Sequence, residues 1–388
     1  MRIFISTGEV SGDLQGAMLV TALHRQAERL GIPLEIVALG GDRMVAAGAT
    51  LLGNTTAIGS IGLVEALPYI IPTLQLRQRA KQYLSQHPPD LVVMIDYVGP
   101  NIGIGKYLRR HLPQVPLVYY IAPQEWVWSI NANTTQAILE ITDRLLAIFP
   151  AEAAYYEKRG VNVTYVGHPL IDRFPVPPDR EAARQQLGIS EDQVAIALLP
   201  ASRQQELKYL LPILLETAQR LQEQLPQVQF WVPLSRPEFQ PILEQAFHQA
   251  KVRATVLVDP NQTVLAAADL AIAKSGTVNL ELALMGVPQV VFYRVNRLTA
   301  WIAEHILKFS VPFMSPPNLV MMKSIVPEFM QQFATPEALT TAALGLLTSP
   351  ARRQRMQEDY QQMRQAMGEA GVCDRAALEI LKMVNVES

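Results

Sequence analysis

The chain has 388 residues, with 33 basic and 35 acidic side chains and a formal net charge of −2. Hydrophobic residues make up 49% of the sequence and charged residues 18%, which excludes a largely disordered chain. This length favours two domains over a single core. The near-neutral charge predicts no general attraction to nucleic acid. A single cysteine, Cys373, excludes an intramolecular disulfide.

The beginning of the chain runs directly into a strand pattern, without an apolar signal segment and cleavage site. No apolar stretch approaches the ~20 residues of a membrane-spanning helix. We therefore expect a protein that is soluble or, at most, attached to a membrane surface.

The first half of the sequence alternates short apolar runs with amphipathic segments. Such alternation is typical of a parallel sheet that is covered on both faces. The predicted strands are Arg2–Ser6, Leu34–Leu39, Leu91–Ile95 and Pro116–Ile121, and the predicted helices are Leu14–Leu30, Tyr69–His87 and Gly103–His111.

The second half repeats this pattern after a proline-rich segment, Phe174–Pro178, which is the predicted linker. Two parallel α/β domains predict a ligand cleft between them, at the carboxyl ends of the strands. The predicted strands are Val194–Leu199, Val228–Val232, Ala254–Val258, Leu270–Ala273 and Gln289–Tyr293, and the predicted helices are Tyr209–Gln224 and Asn279–Met285.

The turn after the first strand, Ser6–Asp13, contains two glycines and three hydroxyl residues. Such a turn lets a ligand approach backbone N–H groups, and Glu9 and Asp13 add carboxylates to it. The G-x-G-x-x-G spacing of a dinucleotide site is absent. The structural alternative is a tight turn in which Asp13 caps the next helix.

Asp96 directly follows the apolar run Leu91–Ile95, at the predicted cleft edge of the sheet. A carboxylate that is partly desolvated there gains the basicity that a general base needs. The structural alternative is an aspartate that caps a helix or stabilises a turn.

Two segments of the second half predict a phosphate site. Arg203 follows a strand and can contact a phosphate through two N–H groups; the alternative is a surface ion pair with Glu206. Ser275–Thr277 lies between a strand and a helix, where N–H groups favour a diphosphate. Glu281 would accept bonds from ribose hydroxyls. The alternative makes Ser275 or Thr277 an N-cap and Glu281 a first-turn acid.

His168 lies just before the linker, where it either faces the cleft or serves as a structural histidine. The six histidines show no metal-ligand spacing. We therefore predict no metal and no cofactor.

These motifs, in their order along the chain, resemble the lipid-A-disaccharide synthase family of inverting glycosyltransferases. The segments that carry the resemblance are Gly8–Asp13, Gly40–Met44, Gly62–Leu67, Ile95-Asp96, Trp126–Trp128, Val166–Leu170, Pro200–Arg203, Ser275–Thr277 with Glu281, Tyr293-Arg294 and Pro317–Leu319.

The resemblance implies a GT-B fold, an α/β architecture with two Rossmann-like parallel-sheet domains that face a central cleft. Residues 1–172 would form the acceptor and membrane-side domain, and residues 173–388 the UDP-sugar-binding domain. The last helices would pack back on the N-terminal domain or on a second subunit, which is compatible with a homodimer.

The activity that the resemblance implies is a transfer of 2,3-diacylglucosamine from UDP to 2,3-diacylglucosamine 1-phosphate (lipid X). The products are a β-1,6-linked disaccharide 1-phosphate and UDP, and no metal is required. Because both substrates carry acyl chains, a peripheral location on the cytoplasmic face of the inner membrane is implied.

The resemblance also implies roles for individual residues. Asp96 would be the general base, with Asp13, or a relay between the two, as alternatives and Glu9 beside them. Ser11, Gly12 and His168 would lie on the acceptor side of the cleft. The implied donor-binding residues are Ser202, Arg203, Ser275, Gly276, Thr277, Asn279, Glu281 and Asn318.

An apolar segment, Ile58–Ile71, is the predicted contact for acyl chains or the membrane. Arg77, Arg79 and Lys81 follow it and would meet anionic headgroups. The alternative is a core helix with a solvated basic end.

The acceptor side departs from the family pattern at Gly99, Gln124, Glu125 and Lys323. UDP-sugar binding is therefore better supported than the acceptor. Three alternatives stay open: a GT-B enzyme with another acceptor, a UDP-sugar epimerase, and a non-catalytic paralogue that binds UDP or lipid.

Overall fold

The computed structural model describes residues 1–56, 69–127, 132–201, 203–234, 236–258, 261–306 and 311–385. The chain divides into two units, one comprising Met1–Arg173 with Met367–Ser388 and the other Phe174–Ala366. The predicted boundary, between residues 172 and 173, lies one residue before the observed one. The C-terminal segment, which the predicted ranges placed in the second domain, belongs to the first unit.

The first unit contains a seven-stranded parallel sheet with the order β3-β2-β1-β4-β5-β6-β7. Its strands β1, β4 and β5 are buried along nearly their whole length, as expected of apolar runs in a sheet covered on both faces. The strands are β1 (Arg2–Ser6), β2 (Glu35–Gly40), β3 (Thr50–Asn54), β4 (Leu91–Met94), β5 (Leu117–Tyr120), β6 (Arg144–Ala147) and β7 (Val163–Tyr165).

The helices of the first unit connect these strands and, at the end of the chain, return to α1. The helices are α1 (Glu9–Arg29), α2 (Asp42–Ala46), α3 (Ile70–Gln86), α4 (Val98–His111), α5 (Ala132–Ile141), α6 (Pro150–Glu157), α7 (Leu170–Arg173) and, from the C-terminal segment, α17 (Val372–Asn385).

The second unit contains a six-stranded parallel sheet with the order β10-β9-β8-β11-β12-β13. Its strands are β8 (Val194–Leu199), β9 (Val228–Leu234), β10 (Ala254–Val258), β11 (Leu270–Lys274), β12 (Gln289–Tyr293) and β13 (Glu328–Met330). Its α-helices are α8 (Arg180–Leu187), α9 (Gln204–Gln224), α10 (Gln240–Gln249), α11 (Asn261–Ala267), α12 (Val278–Leu284), α13 (Arg297–Trp301), α14 (Pro316–Met321), α15 (Pro336–Thr348) and α16 (Pro350–Ala366).

Three helices begin about one turn before their predicted starts. Helix α1 starts at Glu9, α4 at Val98 and α9 at Gln204, whereas the sequence predicted Leu14, Gly103 and Tyr209. The first turn of each helix leaves the end of a strand and carries few apolar residues, so hydrophobic periodicity does not detect it. Much of the Ser6–Asp13 segment, predicted as a loop, is therefore helical.

Helix α17 is attached to the first unit by polar contacts at its start. The Asp172 carboxylate accepts hydrogen bonds from the backbone N–H groups of Gly371, Val372 and Cys373, at 2.7, 3.1 and 2.8 Å. Asp374 pairs with Arg25 of α1 at 2.7 Å. Of the two predicted positions for the last helix, the structure shows packing on the N-terminal unit.

No helix in the described ranges is both long enough and apolar enough to cross a membrane. The predicted acyl-contact segment Ile58–Ile71 and the motif Gly62–Leu67 lie largely or wholly outside the described residues, as do Trp128 and Ser202.

Candidate functional site

The strand order of the first sheet reverses between β1 and β4, which pair directly. At such a switch point the connections leave in opposite directions and open a crevice at the carboxyl ends of the strands. The segments that leave this point are Thr7–Glu9, after β1, and Ile95–Tyr97, after β4. The first candidate site is therefore built around Asp96.

Asp96 has an unusual backbone conformation, with φ of +45°, and Tyr97 follows with φ of +51°. The Asp96 carbonyl accepts hydrogen bonds from Asn101 Nδ2 at 2.7 Å and from the Tyr119 hydroxyl at 2.8 Å. Its N–H donates to Ile121 O at 2.9 Å. Left-handed backbone costs energy for an aspartate and persists where surrounding bonds fix it, often at functional sites.

The Asp96 side chain is solvent-accessible, although protein atoms surround it closely. Desolvation by these atoms and the nearby charge of Glu9 raise the pKa of Asp96 to about 6. A carboxyl group with this pKa is ionised at neutral pH and is a stronger base than an ordinary aspartate.

Gly8 is required by a close contact rather than by its backbone angles. A Cβ at Gly8 would lie 2.2 Å from Cδ2 of Tyr97, so the ring occupies the space of a side chain. Glu9 follows with φ of +62° and is half-buried. The turn after β1 thus brings a carboxylate beside Asp96.

Asp13 makes structural contacts, but not the cap on α1 that the structural alternative predicted. It is 4% exposed, and its carboxylate accepts from the N–H groups of Gly41 at 2.8 Å, Arg43 at 3.2 Å and Met44 at 3.2 Å. Asp13 therefore caps α2, not the helix in which it lies. A role for it as base or relay stays a prediction.

The predicted acceptor-side residues differ in accessibility. Ser11 is half-buried in the first turn of α1. A Cβ at Gly12 would lie 2.1 Å from Thr7 Oγ1, so Gly12 accommodates Thr7. His168 is 4% exposed, accepts from Leu170 N through Nδ1 at 3.2 Å, and desolvation lowers its pKa to about 3. The structure favours the structural alternative for His168, because it is buried and neutral.

Glu152 is a buried carboxylate that the sequence analysis did not single out. It accepts from the N–H groups of Ala122 and Ile148 at 3.0 and 2.8 Å, and from Phe149 at 3.2 Å. Desolvation and, to a smaller extent, the charge of Asp96 raise its pKa to about 7. The sequence signal for it is a glutamate at the third position of a helix that begins with proline.

The second sheet reverses its strand order between β8 and β11, which also pair directly. Arg203 follows β8 and Lys274 is the last residue of β11. Glu206 Oε1 accepts from Arg203 Nη1 at 3.0 Å and from Lys274 Nζ at 3.1 Å. The ion pair between Arg203 and Glu206 is therefore present, but its side chains are largely buried, and Lys274 also pairs with Glu206.

Two polar groups of the predicted diphosphate turn, Ser275–Thr277, form hydrogen bonds within the protein. Ser275 Oγ donates to Met314 O at 2.7 Å, and Gly276 N donates to Asn279 Oδ1 at 2.7 Å. Thr277 is the N-cap residue of α12 and makes no side-chain cap bond. Glu281 is half-buried in the first turn of α12.

The side chains of Asn279 and Asn318 hold the fold together internally. Asn279 is fully buried, and its Nδ2 donates to Gln289 Oε1 at 3.0 Å. Asn318 accepts from Ile325 N and Val326 N at 2.7 and 2.9 Å, and donates to Val326 O and Glu328 Oε2, both at 3.0 Å. These amide groups are already engaged within the protein, and a direct donor contact of Asn279 or Asn318 stays a prediction.

Among the residues that the structure describes, no group of three or more His, Cys, Asp or Glu side chains could hold a metal ion.

Comparison with known proteins identifies close relatives over the whole chain. A family model described as lipid-A-disaccharide synthetase matches residues 3–383. A lipid-A-disaccharide synthase of Gloeothece citriformis is 59% identical over 384 residues, covering 99% of this chain and 100% of the relative. One from Synechocystis is 53% identical over 387 residues, covering 99% and 98%.

Solved structures resemble this chain at much lower sequence identity. An S. aureus MnaA–UDP structure has a TM-score of 0.65 at 14% identity and covers 99% of this chain and 97% of its own. Acinetobacter baumannii MurG has a TM-score of 0.59 at 17% identity and covers 98% and 99%. These likenesses confirm the predicted fold class, two parallel-sheet α/β domains of the GT-B type.

Proposed function

This chain belongs to the lipid-A-disaccharide synthase family of glycosyltransferases, and from that premise we propose that it transfers 2,3-diacylglucosamine from UDP to lipid X. The observation that carries the proposal is an aspartate with a raised pKa at the switch point of one sheet. A cationic cluster at the switch point of the other sheet supports it. The full-length relatives do not favour the epimerase, other-acceptor or non-catalytic alternatives.

We assign the general base to Asp96. Its ionised carboxylate would accept the proton of the acceptor 6-hydroxyl while that oxygen bonds to C1 of the donor sugar. The bond between C1 and the diphosphate oxygen breaks at the same carbon, and its electron pair leaves with UDP. Attack opposite the leaving group inverts the configuration at C1 and gives the β-linkage.

We assign the donor diphosphate to the second unit. The Arg203 guanidinium would offset the negative charge that builds on the departing UDP. Glu281, half-buried in α12, would accept hydrogen bonds from ribose hydroxyls. Asn279 and Asn318 would fix the backbone of this region, because their side-chain oxygens accept from the N–H groups of Gly276 and Ile325.

We propose that the start of α3 contacts the membrane. Ile70, Ile71 and Leu74 are exposed apolar residues, with Ile71 66% exposed, and Arg79 is exposed one to two turns later. Apolar insertion beside basic side chains is the pattern of peripheral attachment. Because both proposed substrates carry acyl chains, we place the protein at the cytoplasmic face of the inner membrane. A homodimer is compatible with this location, and light scattering measures the oligomeric state.

A turnover assay with UDP-2,3-diacylglucosamine and lipid X tests this function. Wild-type protein should form the disaccharide and UDP in the presence of EDTA. Asp96→Asn should lower kcat by about 10²–10⁴-fold, and Arg203→Ala should lower kcat/KM by about 10–100-fold. Asp192→Asn and Arg220→Ala, at exposed positions, are the matched controls.

Product analysis decides between the alternatives. A wild-type protein that releases no disaccharide from the authentic substrates contradicts the proposed function. Full turnover by Asp96→Asn contradicts only the assignment of the base.

A further inference from the structure

Glu152 links the segments that follow two neighbouring strands of the first sheet. It lies in the first turn of α6 and is 1% exposed. Its Oε2 accepts from Ile148 N at 2.8 Å and from Phe149 N at 3.2 Å, in the segment after β6. Its Oε1 accepts from Ala122 N at 3.0 Å, in the segment after β5. Each carboxylate oxygen is therefore engaged by a different segment.

The bond to Ala122 connects Glu152 to the backbone of Asp96. The Ala122 N–H belongs to the same peptide group as the Ile121 carbonyl, and that carbonyl accepts from Asp96 N at 2.9 Å. Because a peptide group is planar and rigid, a bond that fixes its N–H also fixes the direction of its carbonyl. One peptide group thus lies between the Glu152 carboxylate and the candidate base.

Ile121 has a backbone conformation that needs such support. Its φ is +61°, in the left-handed region that is strongly disfavoured for a β-branched residue. Asp96, across the hydrogen bond, has φ of +45°. Strained backbone of this kind persists where the surrounding bonds determine it. Glu152 supplies one of these bonds from a buried position, where the loss of an acceptor leaves an N–H group unpaired.

This link requires the two acceptor oxygens of a carboxylate. A glutamine at position 152 would have nearly the same shape but only one acceptor oxygen, and its NH2 group would face an N–H donor. An aspartate would keep both oxygens on a side chain that is shorter by one methylene. Neither replacement reproduces the bonds to both segments.

We propose that Glu152 is a positioning residue for the glycosyl transfer and that it acts on Asp96 through the peptide group of Ile121 and Ala122. In this role Glu152 needs no contact with a substrate, because it fixes where the Asp96 backbone, and with it the carboxylate, lies. This inference rests on the proposed function, because it concerns the base of that reaction.

Steady-state kinetics of Glu152→Gln tests the inference. The assay is run at about pH 8, above the pKa values of about 6 for Asp96 and about 7 for Glu152. We expect kcat to fall about tenfold or more, with KM for both substrates within about twofold of wild type, because a misplaced base affects the chemical step.

Tyr156→Phe is the matched control for this variant. It removes another buried bond between α6 and the segment after β5, from the Tyr156 hydroxyl to Pro123 O at 3.4 Å. This bond does not involve the peptide group of Ile121 and Ala122. Tyr156→Phe should therefore keep kcat within about twofold of wild type.

A double-mutant cycle distinguishes positioning from a general loss of folded protein. If Glu152 acts through Asp96, Glu152→Gln should lower the residual turnover of Asp96→Asn by less than about twofold, because the base that it positions is already absent. A purely structural role would lower turnover by the same factor in both backgrounds. That result overturns the inference, as does an unchanged kcat in Glu152→Gln.

Glu152→Asp takes the place of Glu152→Gln in the same cycle if the glutamine variant does not fold. It keeps the charge but shortens the side chain, so the same pattern of kcat, KM and coupling to Asp96 is expected. Thermal unfolding and calorimetry with UDP show whether each variant is folded. The proposed function fails separately, if wild-type protein forms no disaccharide from the authentic substrates.

Discussion

At the scale of single residues, the candidate base depends on groups that fix its backbone rather than its carboxylate. Asn101 and Tyr119 both donate to the Asp96 carbonyl, and Ser6 Oγ donates to Asn101 Oδ1 at 2.6 Å. All of these partners are buried. They keep Asp96 in a left-handed conformation that would otherwise relax.

The raised pKa of Asp96 predicts the acid limb of the pH profile. Because the base acts only when ionised, kcat/KM should fall about tenfold per pH unit below the pKa of about 6. Glu9→Gln removes a neighbouring negative charge that favours the protonated form, so the limb should move to lower pH. The exposed Glu157→Gln is the control, and an unmoved limb in Glu9→Gln would contradict the coupling.

Removal of one positioning bond should impair turnover more than binding. Tyr119→Phe keeps the buried ring but loses the bond of 2.8 Å to the Asp96 carbonyl. We expect kcat to fall about tenfold with KM nearly unchanged, because misplacement of the base affects the chemical step. Steady-state kinetics at several pH values measures this effect. A rise in KM alone would indicate a substrate contact instead.

At the scale of elements, strand ends and helix starts carry the polar residues that matter. Carboxylates cap helices from other segments: Asp13 caps α2 from within α1, and Asp172 caps α17. Such caps satisfy N–H groups that have no partner within their own helix. They also bind segments that are distant in sequence.

The cap on α17 should contribute measurably to stability. Asp172→Ala leaves three backbone N–H groups without their acceptor, and the opening free energy of α17 should fall by about 1–2 kcal/mol. Hydrogen exchange of peptides from α17 measures this change. Asp374→Ala, which removes a partly exposed pair with Arg25, should cost less than about 1 kcal/mol. Equal effects would show that the cap has no special role.

At the scale of the whole molecule, the two units carry different chemistry. The first unit holds the candidate base and the exposed apolar start of α3, and the second holds the cationic cluster. This division matches a reaction in which one substrate supplies a hydroxyl group and the other a diphosphate leaving group.

Membrane attachment through α3 predicts a lipid-dependent effect. The double variant Ile71→Glu/Leu74→Glu should lower binding to phosphatidylglycerol vesicles by about tenfold or more, because it removes inserted apolar surface and adds negative charge. Vesicle co-sedimentation measures binding, and uridine affinity reports whether the protein stays folded. Ile242→Glu, an exposed apolar position in the second unit, is the matched control. An equal loss of vesicle binding in the double variant and in the control would show that α3 is not the membrane contact.

The sequence by itself determined the parallel α/β class, several strand boundaries and the positions of Asp96 and Arg203 at strand ends. Continuous apolar runs and the polar residues that follow them are local signals, and β8, β10 and β12 have their predicted bounds.

The tertiary structure decided which polar residues have partners. Asp13 accepts from Met44 N, 31 residues further along the chain, and Lys274 at the end of β11 contacts Glu206 of α9, 68 residues away. It also placed α17 on the first unit, through contacts with Asp172 and Arg25. These outcomes depend on non-local contacts, whose partners become neighbours only when the sheets form, and no local pattern of residues encodes them.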